Sequence, residues 1–148
     1  MMKCSGLKAL AYLAAPYSGM EEFSFRMSCA VAARLLDDGE LIFSPIVHSH
    51  PLEAYLIDHK NDHDFWIEFD THLMERCQVL YVLAIDGWEK SKGVQFEIEW
   101  FESNKLPIFL LVLDYDTGGV SKRRYYRKNG VLPALMTEQI KLFGPIDK

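Results

Sequence analysis

The sequence predicts an α/β domain: a parallel sheet of four to five strands, doubly wound in three layers in the flavodoxin-like or Rossmann-like manner. Three observations carry this. Short apolar runs without period-two alternation, "LKALAYLAA", "VLYVLAI" and "PIFLLVLD", read as strands buried on both faces. Segments of helical spacing separate them, and strands that alternate with helices imply parallel pairing through right-handed crossovers. No repeat and no linker rich in Gly, Ser or Pro divides the 148 residues, so residues 1–148 read as a single domain with a real core.

The first strand is "LKALAYLAA", residues 7–15, ended by Pro16. The lysine and apolar stretch at the start imitate a secretory signal, but the run is short and leads into a strand-then-loop pattern that the fold needs. A helix follows over residues 21–38, with Phe25, Cys29, Ala32, Ala33 and Leu36 on its inner face and Gly39 as its stop. "ELIFSP" is a short second strand ended by Pro45. "IVHSHPLEAYLIDHKNDHD" reads as a long irregular connection with one helical turn after Pro51, and loops of that size in compact domains tend to be functional. A second long helix is predicted from about Asp62 to Cys77, with Trp66, Phe69, Leu73 and Cys77 inward. Residues 79–85 give the third strand, a helix from about Lys92 follows, and residues 107–114 give the fourth strand. "SKRRYYRKNG" reads as an exposed basic segment, and "LPALMTEQIKLFG" as a short helix that can end in a last edge strand.

Charge narrows the function classes. A net charge of −5 argues against a nucleic-acid polymer as partner, because phosphate attraction needs a basic surface. A small anionic ligand remains open, since a helix N-terminus and one or two cations can hold it locally. Five of the sixteen basic residues lie in "KRRYYRK", 122–128, which reads as a subunit contact or a solvated arm, so a homo-oligomer is expected. Cys4, Cys29 and Cys77 show no CxxC spacing; Cys29 and Cys77 fall in apolar helix faces and read as buried thiols of a cytoplasmic protein. No apolar run approaches the length of about 18 residues that a membrane span needs.

In such sheets ligands bind beyond the carboxyl ends of the strands, where strand order reverses. Tyr12 to Ser18, Ser44 to Pro51 and Asp86 to Glu97 all follow strand ends. Within the last of these, Val94, Glu97, Ile98 and Phe101 share one helix face, so Glu97 interrupts an apolar stripe. Stabilisation of a helix N-terminus is one explanation. Asp70 offers another, because it too lies on an apolar face, four residues after Trp66 and three before Leu73. An unpaired buried carboxylate costs several kcal/mol, roughly, and its pKa rises. Two such acids meeting in one crevice suit glycosyl transfer, one as nucleophile and one assisting proton transfer. Ser18 and Arg26 flank the first helix and can receive a phosphate, and Trp88 can stack on a base or cover its loop. His48, His50, His59 and His63 share one segment. His59 and His63 have the i, i+4 spacing of a helical metal site, although the motif lacks HExxH, and a ligand-contacting or solvated loop is the alternative.

"AYLAAPYSG", "FDTHLMERCQVLYVL" and "SKGVQFEIEW", in this order over residues 9 to 114, resemble the three blocks of the nucleoside 2-deoxyribosyltransferase superfamily, and most closely an uncharacterised bacterial and phage branch of it. That superfamily includes nucleotide N-glycosidases. The resemblance implies that Glu97 attacks C1' of the sugar, that Asp70 orients the sugar and assists proton transfer, and that Tyr12 contacts the nucleophile or the sugar. Ser91 stands where the monophosphate glycosidases have a serine that touches the 5'-phosphate, and Gly93 lets the backbone approach the ligand closely. Ala15, Pro16, Tyr17 and Gln78 depart from the family pattern, Pro16 and Tyr17 taking the place of small phosphate-binding residues. The expected function is cleavage or exchange of the N-glycosidic bond of a (deoxy)nucleoside or nucleotide without a cofactor. A non-catalytic nucleotide-binding module on the same fold and a metal-dependent hydrolase are the alternatives.

Overall fold

The structure is a computed structural model that describes residues 8–126 in full and the backbone of residues 130–141. Residues 1–7, 127–129 and 142–148 lie outside the described residues, and with them Cys4 and the end of the basic run.

Strand β1 (Leu10–Ala14) leads to helix α1 (Glu21–Asp37) and strand β2 (Leu41–Phe43). Helix α2 (Pro45–Ser49), a 3₁₀ turn (His50–Ala54) and helix α3 (His63–Met74) come next. After them stand β3 (Val79–Leu83), a 3₁₀ turn (Trp88–Lys90), α4 (Lys92–Ser103), β4 (Ile108–Asp114), β5 (Gly119–Tyr126) and β6 (Gly130–Lys141). They form one sheet in the order β2-β1-β3-β4-β5-β6. The first four strands of this order pair in parallel, and β5 and β6 add two antiparallel pairings. The three-layer α/β arrangement is as the alternation predicts, with one strand more than expected and an antiparallel edge.

Side chains alternate along β1 and divide the interior in two. Ala11, Leu13 and Ala15 face α1, packing with Met27, Val31 and Leu35. Tyr12 and Ala14 face the other way, into a second core with Met74 from α3 and Val94, Ile98 and Phe101 from α4. The inner face of α1 is therefore displaced from the predicted one: Ala33 and Leu36 are exposed, while Ser24, Met27, Ser28, Val31, Ala32 and Leu35 are buried. Small residues mislead here, because Ser24 and Ser28 let the helix approach the sheet, and the Ser24 hydroxyl donates to the Pro16 carbonyl. Cys29 is only half-buried for the same reason, whereas Cys77 is buried as predicted. Gly39, at φ +89°, ends the helix in a conformation that a side chain would strain.

Three other expectations change. Pro45 opens α2 instead of merely ending a strand, because Ser44 caps it by accepting from Val47 N–H at 3.2 Å. The basic run begins as a strand: in "DYDTGG" the Asp114 carboxylate accepts from the N–H groups of Asp116 and Thr117, turning the chain back on β4. Its first lysine is buried, with Lys122 Nζ donating to Glu40 Oε1 at 3.1 Å and to the Tyr81 hydroxyl at 3.0 Å. The helix expected in "LPALMTEQIKLFG" is the edge strand β6 as far as Lys141, since the open edge of β5 offers a ladder that a short isolated helix cannot match. Its proline is tolerated at the sheet edge, where the register with β5 shifts.

Candidate active site

The strand order reverses between β1 and β3, whose successive connections leave toward opposite sides of the sheet. A cavity of about 830 Å³ opens there, lined by residues following β1 (Ala15 to Ser18), β2 (Pro45, Ile46, Ser49, Glu53) and β3 (Gly87, Lys90 to Gly93), with Trp66, Ile67 and Asp70 from α3 and Phe96 and Glu97 from α4. That volume suits a nucleotide-sized ligand.

Ser91 caps α4, its Oγ accepting from Val94 N–H at 3.3 Å. Glu97 is the sixth residue of that helix, beyond the free N–H groups of the first turn, so helix-terminus stabilisation does not explain it. Its Oε2 is buried and has no hydrogen-bond partner. Burial, then the Asp70 charge, push its carboxyl well above the ordinary range. One turn earlier, Gly93 leaves the approach to Oε1 clear; a methyl group there would stand 3.8 Å from that oxygen. Burial raises Asp70 from 3.8 to about 7. The Tyr12 hydroxyl, on β1, lies against the Glu97 carboxylate without completing a well-formed hydrogen bond. Burial first, and the Glu97 and Asp70 charges after it, lift the phenol well above its ordinary value, so it stays protonated.

Buried polar groups without partners are rare, and two of them, Glu97 Oε2 and Trp66 Nε1, belong to residues lining the cavity, with Tyr12 Oη a third, buried behind Glu97. A cavity that holds an under-satisfied acid pair and a phenol can hold a proton between the acids near neutral pH. It can also stabilise a cationic carbon between them.

The other expected ligand-binding residues divide. Ser91, Gly93, Pro16, Tyr17 and Ser18 line the cavity. Arg26 does not: it is three-quarters exposed and paired with Glu22 at 3.0 Å, because α1 turns that position away from the sheet. Trp88 packs edge-on against Tyr125 at 6.0 Å, covering its loop. His48 stacks on Phe69 at 5.5 Å, outside the cavity lining. The other histidines part company: His50 binds Tyr17, His59 pairs with Asp62 and stacks on Phe65, and His63 lines the cavity. Among the described residues no three His, Cys, Asp or Glu side chains converge as a metal site.

Trp66, Phe96, Glu53, Lys90 and Lys92 line the cavity without having been expected there. Trp66 had a signal, its position one turn before Asp70 on the same face. The two lysines flank Ser91 at the start of α4 and were legible as a cationic rim. Glu53 had none, since its place depends on how the long connection folds back.

The chain is thus a doubly wound α/β domain with two desolvated acids at its switch point, the place beyond the strand ends where such folds carry their ligands. The chain belongs to the family described as a domain of unknown function (DUF1937), whose model matches residues 9–112. No curated protein matches the chain. No helix among the described residues is long and apolar enough to cross a membrane.

Proposed function

We propose that this chain cleaves or exchanges the N-glycosidic bond of a (deoxy)nucleotide or nucleoside, with Glu97 as nucleophile. The observation that carries this reading is the Glu97–Asp70–Tyr12 group: two desolvated acids from separate helices lining one cavity, and a buried phenol against Glu97. The sequence blocks resembling the nucleoside 2-deoxyribosyltransferase superfamily contribute the same three residues.

A Glu97 carboxylate oxygen forms a bond to C1' as the C1'–N bond breaks, and that electron pair leaves with the base. The two acids share one proton, and in the reacting state it rests on Asp70 and leaves Glu97 ionised, so Asp70 supplies the proton that the departing base needs. Tyr12 then donates to the remaining Glu97 oxygen and directs its lone pairs. Water or a second base attacks C1' of the glycosyl-enzyme and restores the free glutamate. Lys90 and Lys92 beside the start of α4 favour an anionic substituent on the sugar, so a monophosphate is preferred over a free nucleoside.

Incubation with a panel of deoxynucleoside monophosphates, with free base measured by chromatography, tests the proposal. Base release is expected and is abolished by Glu97→Ala, while the far-UV circular dichroism of the variant is unchanged. Release that survives in Glu97→Ala overturns it. A non-catalytic nucleotide-binding module is the second reading, favoured by the burial that raises the Glu97 carboxyl well above the ordinary range. It predicts ligand-induced thermal stabilisation without turnover and little effect of Glu97→Gln.

A further inference from the structure

The cavity is polarised across its mouth. The start of α4 supplies Lys90 and Lys92, while the opposite side carries Tyr17 and the half-buried Glu53. Tyr17 does not stand alone. Its hydroxyl lies 2.7 Å from Nδ1 of His50, and Nε2 of that ring lies 3.4 Å from Glu22 Oε2. Phe25 stacks on the imidazole with ring centroids 4.4 Å apart, which fixes the ring plane.

The direction of these bonds follows from charge. Glu22 is an anion, its carboxyl lowered by Arg26, so it can only accept; when the imidazole is neutral, its Nε2 must carry the proton. Nδ1 is then a lone pair. The Tyr17 phenol stays protonated, because burial and the charges of Glu53, Glu21 and Glu22 raise it, so its proton points at Nδ1. What Tyr17 has left for a ligand is lone pairs, and Glu53 beside it likewise offers only acceptor oxygens.

We infer that Tyr17, held by His50 and Glu22, is a specificity-determining residue that selects a nucleotide whose base carries an exocyclic amino group. The inference rests on the N-glycosidic reading above. An amino group donates to the Tyr17 oxygen and to Glu53, whereas an oxo group at the same position sets lone pairs against lone pairs. A site built for a donor rejects the isostere that lacks it more strongly than an apolar wall rejects a small change in shape.

The test is binding, read by calorimetry at pH 8.5, where an ordinary imidazole is neutral. The protein is the Glu97→Gln full chain, so that no ligand is consumed. The probes are two pairs differing in amino against oxo, dCMP with dUMP and dAMP with dIMP. The amino member is expected to bind about 10-fold more tightly in at least one pair. Adding Tyr17→Phe should bring that ratio close to one without lowering the melting temperature. Adding His50→Leu, which frees the phenol proton, should narrow it too. Binding without an amino preference, or a preference that survives Tyr17→Phe, overturns this inference and leaves the glycosidic reading standing. Binding of none of the four probes overturns both.

Discussion

Replacing Asp70 with asparagine keeps the shape of the side chain and removes its ability to ionise. In the folded chain burial raises this carboxyl from 3.8 to about 7. Below the ordinary carboxyl range both folded and unfolded chains hold the proton, and the residue costs nothing. As pH rises from about 4 to 7, the unfolded chain releases its proton first, so the native state loses stability throughout that window and reaches a plateau above it. A rise of that size corresponds to ~4 kcal/mol for a carboxyl sealed from water. Asp70 borders an open cavity, and solvent screening reduces the expected effect to about 1–3 kcal/mol. Asp70→Asn should therefore be more stable than the parent by that amount at pH 8 and indistinguishable from it at pH 3, while base release falls steeply. Urea unfolding at the two pH values measures the first effect and chromatography of free base the second. A variant no more stable than the parent at pH 8, or one with the same gain at both pH values, refutes the reasoning.

Tyr12→Phe removes a hydroxyl that completes no hydrogen bond, so stability should change by less than about 0.5 kcal/mol, while base release drops about 10-fold or more; thermal melts and kcat/KM separate the two. Ser91→Ala deletes the α4 cap and should cost about 1 kcal/mol in denaturant unfolding, with weaker binding of monophosphates seen as a smaller ligand-induced shift in Tm. Lys122→Met leaves Glu40 and Tyr81 without their shared cation and should lower stability by about 2 kcal/mol. Base-release kinetics should be unaltered, because Lys122, Glu40 and Tyr81 themselves do not line the cavity.

Periodicity read the parallel part of the sheet and three of its helices to within a few residues, because those segments are long enough for burial to leave a pattern. It failed where competing partners decide the outcome. Lys122 looks like a solvated charge until Glu40 and Tyr81, far away in sequence, converge on it. The segment after Val131 has helical composition, yet the free edge of β5 recruits it as a strand. At the site, Glu97 and Asp70 were legible because an acid in an apolar stripe is a local contradiction. His50 was not, since its role arises only when the 3₁₀ turn carries it between Tyr17 and Glu22. Arg26 could be read equally as a phosphate ligand or a surface residue, and it is the latter, because proximity along the chain to the first helix says nothing about which way the side chain faces.

The alternation of side chains along β1 has a consequence for how this protein can change. Tyr12 and the helices bearing Glu97 and Asp70 are seated on one interior, whereas Tyr17 and Phe25, which steadies His50, are seated on the other. On the proposed chemistry, bond-breaking and choice of base would rest on separate foundations, with the sheet as the wall between them. Drift in the packing under α1 can retune which nucleotide is accepted while the acids keep their spacing, and repacking between α3 and α4 can alter the rate without altering the preference.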